Sequence, residues 1–238
     1  MRTYLSMILL FTTLTSFSQS YVDSGIRHFN VGEYNEALVD FEKAVELKDM
    51  LTEAAKGKLY FYRALVWLEK ARKAGNAEQD HLNLAYADLS IAATKGKSLE
   101  VEVNQAFKEL NALLIEEADA LLKQEKKADQ VLLKLSILDK RIEYLTIIKE
   151  LGISSFTDLN LGETNKLAGD IIFESTTNVL EMQKAKAYYE EALKSYELAR
   201  YDDPFSKEII SNLLTLAERL MDVDRVEEYQ KLMDLAEE

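Results

Sequence analysis

The sequence predicts an all-α protein of stacked antiparallel helical hairpins, and three observations carry that expectation. There is one proline in 238 residues, Pro204, and only eight glycines. No segment sustains the apolar–polar alternation that a half-buried strand requires. The long segments are instead helix-periodic: Leu82, Ala85, Tyr86, Leu89, Ala92 and Ala93 form one stripe, and Ile209, Leu213, Ala217 and Leu220 another.

The first eighteen residues read as a leader. Arg2 opens it, Tyr4 to Leu14 form an apolar run interrupted by hydroxyl residues, and Ser16-Phe17-Ser18 supply a small-x-small cleavage site. The run is shorter than the roughly 20 apolar residues that span a bilayer. The expectation is therefore a signal peptide over 1–18, a mature helical domain over 19–238, and no integral membrane span. A leader rich in hydroxyl residues and ending in Ser-Gln points to export into a bacterial envelope, periplasmic or extracellular. The chain has no Cys, which excludes disulfides, thiol catalysis and a lipidated cysteine anchor.

The net charge is −13, and losing the leader removes one positive charge, Arg2, giving −14. A chain this acidic repels phosphate backbones, so nucleic acid is not an expected partner. The most basic stretch is Lys56, Lys58, Arg63, Lys70, Arg72 and Lys73; it spreads over several helical faces and reads as solvated surface.

Helix boundaries follow the punctuation. Gly75-Asn76 and Gly96 suit left-handed helix ends. Gly152 and Gly162 bracket an apparent loop, and Asp203-Pro204 reads as a helix start. The resulting hairpins pair 21–32 with 34–48, 51–74 with 78–95, 99–125 with 129–151, 163–183 with 185–201, and 205–220 with 224–237. No linker composition divides them, so one continuous domain is expected.

The first hairpin carries a motif. Gly25 is followed by Gly32, Tyr34, Ala37, Phe41, Ala44 and Leu47. This spacing resembles the tetratricopeptide repeat, in which small residues let two helices pack closely around an aromatic. Tyr21, Ser24, His28 and Asp49 depart from the residues that the family favours at those places. Ala192, Tyr196, Ala199 and Pro204 repeat the second-helix spacing, with Gly169 as the expected first-helix glycine. Gly57 with Ala85, Leu89 and Ala92 suggests a further, extended copy. The third and fifth hairpins show only the helical period.

The resemblance implies a right-handed solenoid of about five hairpins, some of them extended, serving as a non-catalytic scaffold or adaptor for a protein or peptide partner. The alternative is a peptide- or glycan-binding module that uses the concave face. Helical glycan-binding relatives of outer membranes are usually lipid-anchored, and the missing Cys argues against that kinship.

No enzymatic, cofactor or metal constellation is expected. The chain lacks His-x-x-x-His and Glu-x-x-His pairs, a Gly-rich phosphate loop and a Gly-x-Ser-x-Gly elbow. His28 is expected to be a hydrogen-bonded packing residue on the inward side of its helix, and His81 to face solvent. Glu116-Glu117 with Asp119, Asp202-Asp203, and Asp222 with Asp224 read as solvated charges; an unrecognised acidic hydrolase site is the third possibility. Trp67 is expected to pack the tip of the second hairpin. In the repeat geometry the first helix lines the groove, four residues beyond the glycine. That places Phe29, Phe61 and Phe173 as candidate partner-binding residues, the alternative being that the extended hairpins bury Phe61 and Phe173 as ordinary core.

Overall fold

The computed structural model describes residues 17–74, 80–152 and 156–237. Every regular element among them is helical. Residues 17–30 form α1, followed by α2 (Tyr34–Glu46), α3 (Glu53–Ala74), α4 (His81–Lys95) and α5 (Glu100–Glu125). Then come α6 (Val131–Leu151), α7 (Thr157–Ser175), α8 (Val179–Ala199), α9 (Lys207–Leu220) and α10 (Val223–Glu237). Most of the leader and the pair Gly75-Asn76 lie outside the described residues. Phe17 and Ser18 are helical, and Ser18 is buried.

The contacts divide the chain into two compact units, one ending at Leu113 and one beginning at Leu114, so the division falls inside α5. In the N-terminal unit, α1 and α2 run antiparallel. A Cβ on Gly25 would sit 2.4 Å from the Phe41 ring, so only glycine admits that ring. Ala37, Phe41 and Ala44 are fully buried around the contact. Gly57 of α3 packs against Gly96, the residue that follows α4: a Cβ on Gly57 would lie 2.5 Å from the Gly96 Cα. Gly96 therefore serves close backbone approach, and its φ of −106° corrects the left-handed end expected there. Left-handed glycines do occur at Gly32 (φ 82°) and at Gly152 (φ 64°), where the latter ends α6.

The C-terminal unit corrects the fourth hairpin. Helix α7 begins at Thr157 rather than 163, and α8 at Val179 rather than 185. The break between them is chemical. Thr176 is extended, its Oγ1 accepts from the Asn178 backbone N–H at 3.1 Å, and Asn178 Oδ1 caps Leu180 N–H at 2.9 Å. Gly162 thus lies inside α7 and is buried; it brackets no loop. A Cβ on Gly162 would meet the Tyr196 ring at 2.9 Å, and one on Gly169 the Tyr189 ring at 2.5 Å. A glycine inside a helix costs about 1 kcal/mol in propensity, and the two rings account for both. Helix α9 starts one turn after Pro204: Ser206 N–H bonds Asp203 C=O at 3.3 Å, and the helix opens at Lys207.

Tyrosines dominate this second core. Tyr189, Tyr196 and Tyr229 are buried with Leu193, Leu213 and Leu216. Tyr189 donates to Asp170 at 2.8 Å and Tyr229 to Glu197 at 2.6 Å. Burial, and for Tyr189 and Tyr229 the adjoining carboxylate, pushes these three phenols above their ordinary value; burial raises Tyr144 to about 12. A folded pKa raised above the unfolded value of about 10 contributes stability that is intact below that pH and is lost as pH rises through the folded value. Thermal melts should therefore fall steeply above about pH 10, in step with phenolate absorbance. A melting temperature that stays flat until well beyond the phenolate transition would contradict the tyrosine core.

Candidate functional site

In the N-terminal unit the α1–α2 turn positions an aromatic cluster. Gly32 N–H bonds Phe29 C=O at 3.0 Å and Glu33 N–H bonds His28 C=O at 2.9 Å, which closes α1 and starts α2 one residue later. The half-buried Phe29 ring then lies 5.9 Å from Tyr34 and 5.7 Å, edge-on, from Tyr62 of α3. Tyr62 in turn meets Phe61 edge-on at 5.3 Å. Phe61 itself is only 6% exposed, so the ring that α3 offers at this face is Tyr62.

Beside the cluster is a cavity of about 390 Å³, lined by Gly32 to Glu36 with Lys70 and Lys73. Lys73 Nζ stands 4.3 Å over the Tyr34 ring, and Lys70 donates to Asn35 Oδ1 at 2.8 Å. Tyr34 donates to Glu69 at 3.2 Å; desolvation first, and then the Glu69 charge, raise its phenol. Half of the basic stretch is internally neutralised: Lys56 pairs with Glu53, Arg63 with Asp88, and Arg72 with Glu69 and Glu109. His28 is hydrogen-bonded as expected, its Nδ1 being 2.6 Å from Glu33 Oε2, but it is partly exposed and lies 3.6 Å from Asp40 as well.

The α3–α4 hairpin contains a buried, bidentate ion pair. Asp88, 3% exposed, accepts from Arg63 Nε at 2.7 Å and Nη2 at 2.6 Å, and from Trp67 Nε1 at 3.2 Å. Burial raises its carboxyl, with the guanidinium and indole opposing. Trp67 also stacks on His81 at 5.7 Å, packing the hairpin tip as expected. That stacking buries His81, which corrects the solvent-facing expectation; desolvation, then Lys70, lower its pKa.

In the C-terminal unit Phe173 is 37% exposed, with the Arg219 guanidinium 4.6 Å over its ring. Its register differs from that expected. The ring at the repeat position, Tyr196, meets Gly162, whereas Gly169 meets Tyr189 one heptad away. Gly162 is thus the counterpart of Gly25, and the residue four beyond it is Lys166. Likewise Gly57 packs on Gly96 rather than on Leu89. Phe29, Phe61 and Phe173 therefore do not hold one common register. Added helix length moved the glycines away from the repeat position, which the spacing from glycine to alanine did not reveal. Sequence reasoning missed Tyr34, Tyr62, Lys70 and Lys73; Tyr62, one position beyond Phe61, was the signal available.

Among the described residues no group of His, Cys, Asp and Glu is placed to hold a metal, and no helix is long and apolar enough to cross a membrane. No protein-family model matches the chain, and no curated protein matches it. Among solved structures the chain is similar to the crystal structure of MamA protein, with 11% identity over 93% of this chain and 92% of that chain, at a TM-score of 0.30. A likeness at that level speaks to neither function nor partner.

Proposed function

We propose that this protein is an exported, non-catalytic scaffold that holds a protein or peptide partner in a bacterial envelope, built as a right-handed solenoid of about five tetratricopeptide-like hairpins. One observation carries the reading. Contacts of the kind the repeat requires occur at two separate places: Gly25 against Phe41 with Ala37 and Ala44 buried, and, at Gly162 instead of the expected Gly169, a glycine against Tyr196 with Ala192 buried. The half-buried rings of Phe29, Tyr34 and Tyr62, with Lys70 and Lys73 at their edge, are the partner surface in this proposal, since aromatic anchors flanked by polar groups dominate binding interfaces.

The test is capture from envelope extract by immobilised protein, with Phe29→Ala and Tyr62→Ala beside the parent. Both variants should fold, and their recovery of a reproducible partner should fall at least tenfold, the loss typical of truncating an interface aromatic at about 2 kcal/mol. Undiminished capture by a folded Tyr62→Ala protein would reject this surface. Polysaccharide retention by the parent, lost in the same variants, would select the glycan-binding alternative.

A further inference from the structure

In the C-terminal unit two helix ends carry uncovered apolar side chains. At the start of α6, Leu132 is 81% and Leu133 50% exposed; at the start of α8, Val179 is 73% and Leu180 63% exposed, and Met182 is exposed nearby. These two ends lie together. Lys149, late in α6, pairs with Asp158, early in α7, at 2.7 Å, while Arg141, a helical turn or two earlier in α6, bonds Thr164, further along α7. Helices α6 and α7 are therefore antiparallel. The contacts of Gly162 with Tyr196 and of Gly169 with Tyr189 make α7 and α8 antiparallel as well. It follows that α6 and α8 are parallel, and the Tyr188 hydroxyl, donating to Asp139, joins them side by side. Leu132 precedes Asp139 by seven residues and Leu180 precedes Tyr188 by eight. At 1.5 Å per residue both leucines stand roughly 10–12 Å beyond that hydrogen bond, at one shared tip.

The charge around the tip opposes that of the chain. Residues 123–134 and 174–186 contain six lysines, Lys123, Lys126, Lys127, Lys134, Lys184 and Lys186, against four carboxylates, Glu125, Asp129, Glu174 and Glu181. Lys134 is tied to Glu125 at 3.5 Å, Lys184 to Glu181 at 2.9 Å and Lys186 to Glu190 at 3.9 Å, whereas Lys123, Lys126 and Lys127 are exposed. A net excess of two positive charges thus surrounds protruding leucines on a protein of net charge −13. Lysine is depleted from the cores of protein–protein interfaces, beside the apolar anchors. Beside an anionic bilayer the same combination is favourable, because lysines meet headgroup charge while leucines enter the acyl boundary.

We propose that this tip is a peripheral docking surface for an anionic lipid bilayer. The leucines insert shallowly, and the lysines supply electrostatic attraction that salt screens within a Debye length of about 10 Å at 0.1 M. The contact is reversible and independent of the aromatic cluster in the N-terminal unit.

Because the chain has no Cys, an environment-sensitive fluorophore on Leu180→Cys reports this tip alone. A second label on Leu198→Cys, exposed on the same helix roughly 27 Å away, is the control. Full-length protein is mixed with vesicles of phosphatidylcholine containing one-quarter phosphatidylglycerol, or of phosphatidylcholine alone. The Leu180 label should shift to the blue with anionic vesicles, much less with neutral ones, and less at high salt; the Leu198 label should not respond. Each lysine beside an anionic surface raises partition roughly fivefold, so Lys126→Glu with Lys127→Glu should lower vesicle partition at least tenfold while leaving the melt unchanged. Absence of a blue shift with anionic vesicles overturns the proposal. So does a shift in vesicle-free buffer that grows with protein concentration, which would assign the tip to contact between two copies.

Discussion

Asp88→Ala is expected to destabilise the protein by about 3–5 kcal/mol, because it removes one partner of a buried ion pair and leaves the Arg63 guanidinium uncompensated. The geometry is bidentate, the carboxylate is 3% exposed, and the Trp67 indole loses its acceptor in the same step. The cost belongs to the stranded charge rather than to the pair's net worth. Replacing both members with apolar residues, Arg63→Met with Asp88→Leu, should therefore restore much of the loss. Chemical denaturation of the two variants beside the parent measures both effects. An Asp88→Ala protein with the parent's midpoint would show that water reaches Arg63 and that the pair is not buried in solution.

Phe61→Ala should act on the fold. Phe61 is 6% exposed, and truncating a buried phenylalanine typically costs about 3–5 kcal/mol. Partner capture by the fraction that remains folded should then match the parent more closely than capture by Tyr62→Ala does. The two residues are neighbours in sequence, yet they point about 100° apart on the helix, one inward and one toward Phe29. If Phe61→Ala melts like the parent but loses capture, then Phe61, not Tyr62, belongs to the partner surface.

The helices were legible because their signals are local. Apolar period, scarce proline and the capping residues act within a few positions, so most helix ends fell within a few residues of the spacing. The fourth hairpin was less legible. Gly162 looks like punctuation when read along the chain, and only the Tyr196 ring opposite shows it to be a packing glycine; Gly169 is a packing glycine as expected, but against Tyr189 rather than at the repeat position. The real break, Thr176-Thr177-Asn178, uses side chain–backbone hydrogen bonds that compete with the helix, and no glycine marks it.

The candidate site was legible only in part. Phe29 lies in the aromatic cluster, where the local motif is intact and Gly25, Ala37 and Phe41 fix that helix pair at the repeat spacing. Phe61 and Phe173 were assigned by an offset that assumes the same glycine-to-ring contact, and helix extension changed which residues meet. His81 was likewise expected outside because it follows Asp80 at a helix start; its burial depends on Trp67, fourteen residues earlier in sequence.

By itself, then, the sequence determined an all-helical chain, the positions of most helix ends, and the small and aromatic residues that pack the first hairpin, because propensity, period and capping are properties of short segments. The tertiary structure decided which glycine meets which ring, that Asp88 is neutralised inside α3–α4, and that Tyr62 rather than Phe61 faces Phe29. It also brought Leu132 and Leu180 to one tip. These outcomes depend on how far one helix slides along another, a quantity set by side-chain interlocking between segments distant in the chain.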